Sequence, residues 1–171
     1  MLKEIKNRQS IRKFRPDPVE PEKLESLLRA AMQGPTAANR QDWRFLVVQD
    51  RKTLDDITTL SPYTGMMKQA AAAILVSGDR DVFEQDGYLY VDCAAAIENI
   101  LLEAVHLELG ACWCGIAPNE ERIADYRKYF SLPESYLPVG IVALGYPAEQ
   151  RPFADRFDEK KITYWKGKNV E

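Results

Sequence analysis

The chain contains a single histidine, His106, and three cysteines, Cys93, Cys112 and Cys114, in 171 residues. A structural zinc site draws four ligands from such groups, so this supply is poor and no metal is expected. Cys112 and Cys114 stand two apart without the spacing of a disulfide framework, which points to a reducing, cytoplasmic setting. His106 falls among apolar residues of a helical stretch and reads as a packed or interface histidine. There is no Gly-x-Ser-x-Gly elbow and no Walker loop. Gly110, Gly115 and Gly140 are too dispersed for the glycine-rich turn of a dinucleotide fold. Glu98 and Glu103, five apart, do not share a helix face closely enough to work as paired carboxylates. A net charge of −3 argues against general nucleic-acid binding. No apolar run has the length of a membrane span, and the N-terminus lacks a secretory apolar core. No internal repeat or low-complexity tract is present. The sequence therefore offers no nucleophile or acid–base set of its own.

What is present fits one domain over residues 1–171, long enough for a real core. Residues 1–7 read as a short helix, and Pro16 and Pro18 then hold the chain extended. Glu20 to Met32 is an amphipathic helix, with Leu24, Leu27, Leu28, Ala31 and Met32 on one face and Gly34-Pro35 as its stop. Strands are expected at Trp43–Gln49, Ala71–Ser77, Ala111–Gly115 and Val139–Leu144. A short helix is expected at Thr53–Thr59, a turn at Pro62–Met67 and a polar surface helix at Glu120–Tyr129. The longest element runs from about Tyr88 to Leu109, apolar around most of its circumference, with Gly110 at its C′ position. The pattern predicts an α+β (α/β layered) fold, a small sheet around one long central helix. The last two dozen residues have little core of their own. Ile162, Tyr164 and Trp165 need a surface elsewhere, and a partner subunit is a natural one.

Three stretches carry the candidate chemistry. In Asn7-Arg8-Gln9-Ser10-Ile11-Arg12, two guanidiniums flank a hydroxyl at alternate positions. In an extended chain Arg8, Ser10 and Arg12 point the same way and suit a dianionic phosphate. On spacing alone the stretch reads more readily as a solvated basic turn, since short basic runs are common on surfaces. The loop Gly34-Pro35-Thr36-Ala37-Ala38-Asn39-Arg40-Gln41 is small and polar enough to let backbone approach a ligand, or is a plain connection. Cys114-Gly115 offers bare backbone at a turn. A phosphate clamp, a small-residue loop and a backbone turn suit a protein whose bound cofactor carries the reaction.

With these stretches in order, the chain resembles the nitroreductase family of FMN-dependent oxidoreductases. The likeness rests on residues 7–12, on Gly34 to Asn39 with Trp43 behind, on Asp92-Cys93-Ala94-Ala95-Ala96 through Asn99, on Leu109 to Gly115, and on Gly145-Tyr146-Pro147 followed by Arg156. The resemblance implies a mixed, mainly antiparallel sheet in an intertwined homodimer, with FMN at the subunit interface and a C-terminal tail (about 148–171) wrapping the partner. Arg8, Ser10 and Arg12 would hold the phosphate and ribityl region, Arg156 would add a phosphate ligand, and Arg12 would reach toward the pyrimidine edge. Gln9 is counted with this cofactor-binding set, although alternation turns it away from the phosphate where relatives often have a second Arg. Pro35, Thr36 and Asn39 would approach the flavin from the other subunit. Cys114 and Gly115 would present N–H groups to N5 and O4. The implied activity is ping-pong hydride transfer from NAD(P)H to FMN and then to a nitroaromatic, quinone or similar acceptor. Dehalogenation, azoline oxidation, flavin fragmentation, or flavin binding without turnover are the alternatives.

Overall fold

The computed structural model describes residues 1–165 and 167. Among the described residues, five α-helices and four strands follow one another as α1 (Lys3–Asn7), α2 (Pro21–Ala31), β1 (Trp43–Val48), α3 (Arg51–Leu60), β2 (Ala72–Asp79), α4 (Asp86–His106), β3 (Gly110–Gly115), α5 (Glu120–Tyr129) and β4 (Tyr136–Gly145). The sheet order is β1-β2-β4-β3, and every neighbouring pair is antiparallel. The α+β architecture expected from the sequence is thus the observed one. A parallel bridge between Ser10 and Ala111 adds the N-terminal stretch beside β3 and makes the sheet mixed.

The central pair, β2 and β4, is buried along almost its whole length. One face of the sheet packs against α4, which α2 backs. Leu24, Leu27, Ile74, Val76, Ile97, Ile100 and Val142 meet there. The opposite face packs against α3 and α5 through Leu54, Ile57, Leu75, Ile123, Tyr126 and Ile141. Each large aliphatic side chain so enclosed contributes about 1.5–3 kcal/mol relative to exposure. Both helix stripes follow from the apolar spacing, and α2 starts on Pro21, whose missing N–H costs nothing there. Gly34 lets the loop after α2 lie directly on α4. A Cβ at that position would meet the Ala96 backbone nitrogen at 3.1 Å.

Several boundaries differ from the sequence expectation, for local reasons. α3 begins two residues before Thr53 because Asp50 caps it, accepting the Thr53 N–H at 2.8 Å. β4 begins at Tyr136 rather than Val139. Pro138 is tolerated inside it because a bulge falls there, with Val76 opposite Gly140 and Ser77 opposite Pro138. α4 starts at Asp86 and stops at His106. Its C′ residue is Glu108, not Gly110. Glu108 sits at φ 61°, with the Leu109 N–H bonded to Ala104 O at 2.7 Å and its own N–H to Val105 O at 3.2 Å. That is a Schellman closure formed without glycine. Gly110 instead opens β3, where a Cβ would lie 2.7 Å from Ile11 Cγ2. Its glycine serves close approach of the N-terminal stretch, not the helix end. His106 is the last residue of α4, 3.6 Å from Glu4 of α1 and largely exposed, so the packed reading does not hold within the chain.

Past β3 the N-terminal stretch continues along the start of the tail. Arg15 N–H donates to Tyr146 O at 2.8 Å, and Ala148 N–H to Lys13 O at 2.8 Å. Gln9 Nε2 then donates to the Arg151 and Pro152 carbonyls at 2.9 and 3.1 Å. The first residues of the tail therefore lie on the chain's own N-terminal segment. The expectation of a wrap around a partner applies to the residues beyond, of which 166 and 168–171 lie outside the described residues. Phe157, Tyr164 and Trp165 stand exposed there. Among the described residues, no helix is long and apolar enough to cross a membrane.

Candidate functional site

The sequence at Arg8 switches the chain from helix to strand. α1 ends at Asn7, Arg8 takes extended φ and ψ of −61° and 121°, and Ile11 N–H bonds to Ala111 O at 2.9 Å. Extension on a flat neighbour is what lets alternate side chains act together. Arg8, Ser10 and Arg12 line one cavity of about 970 Å³, and Arg156 reaches it from the tail. Gln9 lines it too, but its amide nitrogen is committed to the two tail carbonyls, so it ties the tail over the cavity. Further contacts at and beside this cavity were not foreseen. Arg151 lines it beside Arg156, and the pair Arg151/Arg156 flanking Phe153 was visible in the sequence as a second basic cluster. Glu98 of α4 pairs with Arg8 Nε at 3.5 Å, a contact between distant segments that no local pattern announces. One carboxylate, Asp155, also lines the cavity.

Arg12 forms a shared wall. It also lines a second cavity of about 730 Å³ with Lys13, Tyr63, Met66, Gln69, Trp113, Cys114, Gly115 and Arg122. The Arg12 N–H donates to Glu149 Oε1 at 2.6 Å, a bond that, with the Arg151 charge, holds that carboxyl below its usual range. The Cys114 side chain turns inward, its thiol 3.4 Å from Tyr63 O and 3.7 Å from Met66 Sδ. Only its backbone is left for the groove. A Cβ at Gly115 would find nothing nearer than Ala117 O at 4.0 Å, so this glycine leaves bare backbone on the groove floor. The neighbouring Cys112 thiol is lowered by the Cys114 thiol beside it and by the Arg12 charge, against the cost of burial.

Pro35, Thr36 and Asn39 line neither cavity within one chain. Their loop is nevertheless specially built. Ala38, Asn39 and Gln41 all have left-handed φ of 51°, 55° and 53°. Non-glycine residues there cost energy and persist only when surroundings hold them. The hold comes from Asp92 Oδ2, which accepts the Ala37 N–H at 2.8 Å, and from Thr36 Oγ1, which accepts the Gln41 N–H at 3.0 Å. Just beyond, Asp42 is fully buried, and neither carboxylate oxygen has a hydrogen-bond partner. Burial, then the charges of Asp92 and Asp79, push its carboxyl above the ordinary range.

Of the sequence-expected site residues, the chain thus brings Arg8, Gln9, Ser10, Arg12 and Arg156 to one cavity. Cys114 and Gly115 lie in the adjoining groove, and Pro35, Thr36 and Asn39 lie elsewhere. Four arginines and a hydroxyl around one space suit a phosphate ester, and exposed backbone at Gly115 suits a ligand that needs N–H donors. Those features fit FMN.

Proteins of similar sequence and fold are known. The sequence pattern described as "Nitroreductase family" matches residues 5–62 and 60–146. A Methanothermobacter thermautotrophicus protein named "Putative NADH dehydrogenase/NAD(P)H nitroreductase" is 41% identical over 162 residues, spanning 95% of this chain and 85% of its own length. The crystal structure of a "Putative NADH Oxidase" from Clostridium acetobutylicum has a TM-score of 0.90 at 43% identity, covering 94% of this chain and 97% of that one. An "FMN-dependent Nitroreductase" from Clostridium difficile has a TM-score of 0.88 at 28% identity, covering 96% and 98%. A matching family pattern over most of the length, close relatives and a shared fold lead to one assignment: the chain belongs to the nitroreductase family.

Proposed function

We propose that the protein is an FMN-dependent NAD(P)H oxidoreductase that works as a homodimer in the cytoplasm. The observation that carries this reading is the cavity shared by Arg8, Ser10, Arg12 and Arg156, joined through Arg12 to the groove floored by Gly115. FMN held there would supply the hydride chemistry between NAD(P)H and a nitroaromatic, quinone or similar acceptor. The chain's own residues bind, orient and polarise. Arg8 and Arg156 receive the phosphate charge through paired guanidinium bonds, and Ser10 adds a hydroxyl. Arg12, between the two spaces, would place positive charge beside a ring held there and favour its anionic reduced form. The Cys114-Gly115 backbone offers N–H donors at the ring edge. Pro35, Thr36 and Asn39 reach this site from the second subunit, and their braced loop supports that role, because a pre-set backbone loses little freedom on meeting a ligand.

One phosphate contact from arginine is a hydrogen bond to charge, of about 1.5–3 kcal/mol. Arg8→Ala is therefore expected to weaken FMN binding at least tenfold in an equilibrium titration followed by flavin fluorescence. Retention equal to wild type would overturn the phosphate assignment. Bleaching of the flavin by NADH or NADPH and its return with a quinone tests turnover. A protein that takes up no FMN would sink the whole reading.

A further inference from the structure

Three sulfur atoms converge beneath β3. Alternate strand residues share a face, and Cys112 and Cys114 both turn toward the side of the sheet that α3 and α5 cover. They are free thiols, 2% and 4% exposed. Cys114 Sγ lies 3.7 Å from Met66 Sδ, and the Cys112 thiol stands beside that of Cys114. Both walls of this cluster are fixed. β3 pairs with β4 in register, Cys112 opposite Ala143 and Cys114 opposite Ile141. Met66 belongs to a short helical turn, Gly65–Lys68. Arg51 pins that turn by donating to the Met67 and Ala70 carbonyls, and the buried Thr64 hydroxyl is shared between Ile57 O and Ser61 O at 3.0 and 2.8 Å. Among the described residues no three His, Cys, Asp or Glu side chains come together to hold a metal, so zinc finds no site here. Two thiols and a thioether are softer donors and select Cu(I) instead. With metal–sulfur bonds of about 2.3 Å, the sulfurs of a planar three-coordinate site stand about 4 Å apart. The Cys114–Met66 spacing is close to that. The thiolate is the metal-binding form, and the Arg12 charge favours it at Cys112. The Tyr126 hydroxyl is fully buried without a hydrogen-bond partner among the described residues, and it lies within reach of the Cys114 charge. A metal-bound Cys114 sulfur would give it an anionic acceptor.

We infer that Met66, Cys112 and Cys114 form a binding site for a soft monovalent cation, with Cu(I) as the biological case. On binding, two metal–thiolate bonds and one metal–thioether bond form, the two S–H bonds break, and both protons pass to solvent. The oxidation state of the metal does not change. The complex carries one net negative charge, which the Arg12 guanidinium offsets. The site stands apart from the flavin reading. It uses side chains on the core face of β3, whereas that reading uses the backbone of Cys114 and Gly115.

The test uses the purified flavoprotein, kept anaerobic, with Cu(I) buffered by bicinchoninate, whose coloured complex fades as copper is withdrawn. Flavin absorbance is recorded alongside, so that failure to hold cofactor is read separately from failure to hold copper. Wild type is expected to take one equivalent of Cu(I) per chain. Cys93 lies across the sheet in the core against α4, so Cys93→Ala should leave uptake unchanged. Cys112→Ser with Cys114→Ser should abolish it. Met66→Leu keeps the volume of the site, and with it the fold. It should weaken affinity at least about tenfold, the scale that even outer partners of a bound metal contribute. X-ray absorption on copper-loaded wild type reads the site without any substitution, and three sulfur neighbours are expected. A wild type that withdraws no copper overturns the inference. So does a nitrogen or oxygen neighbour on the metal, or an affinity that Met66→Leu leaves unchanged.

Discussion

Asp42 is the residue whose chemistry is least at ease in this protein. It lies fully buried between β1 and the braced loop, near Asp79 and Asp92, with both oxygens unpartnered. Its raised carboxyl means that the folded chain keeps a proton which the unfolded chain releases at about 3.9. Stability therefore falls as pH rises from that value toward the raised folded one, and stays reduced above it. Asp42→Asn removes this titration. Its unfolding free energy should depend less steeply on pH above about 4, and its gain over wild type should grow as pH rises. Urea denaturation across that range checks the slope, and a slope unchanged by substitution would falsify the assignment. Residues like Asp42 and Glu98 were not legible in the sequence, because burial and pairing across the chain leave no local mark. Arg8, Ser10 and Arg12 were legible because strand alternation fixes where neighbours point. Lys13 was hidden by that same rule, which sends it away from Arg12. It lines the groove all the same, where the stretch passes from its bridge to Ala111 to its bridge to Pro147.

At the scale of elements, periodicity located the helices and strands, while their ends were decided by contacts. Gly110 looked like a helix terminator because it follows an apolar run, but the work of ending α4 falls to Glu108 at φ 61°. A side chain in the left-handed region costs roughly 1–2 kcal/mol that glycine avoids. Glu108→Gly should thus stabilise the protein by about 1 kcal/mol, seen as a higher denaturation midpoint with unchanged slope. Gly110→Ala should do the reverse. Its Cβ would meet Ile11 Cγ2 at 2.7 Å and Ile11 Cβ at 2.9 Å, forcing the N-terminal stretch off β3. Overpacking of that kind typically costs 1–3 kcal/mol. Because Ser10 and Arg12 flank Ile11, flavin affinity should fall along with stability. A variant that loses stability and keeps full FMN affinity would show the stretch to be merely attached there. The β4 start was missed for a different reason. Pro138 reads as a strand breaker until the bulge opposite Val76 and Ser77 makes room for it.

On the scale of the whole molecule, the single chain leaves apolar surface uncovered on several elements. Val91 of α4 is 59% exposed, Phe157 70% and Tyr164 79%. A second copy of the chain would give such groups a surface to cover them. Sedimentation equilibrium should give twice the 19.5 kDa chain mass, and the thermal midpoint should rise with protein concentration, as linkage requires when only the folded state associates. A monomer at micromolar concentration would leave Pro35, Thr36 and Asn39 without a site to complete.

The parallel bridge between Ser10 and Ala111 has one more consequence. β3 is the last strand on its side of the sheet, and the extended stretch from Arg8 onward covers part of its outer backbone. An uncovered outer strand is a template for pairing with other chains. The segment proposed to grip the phosphate is therefore also the hem that keeps the sheet from recruiting foreign strands. Cofactor retention and colloidal behaviour become a single property, and stripping the flavin should shorten the protein's life in solution before it costs any helix.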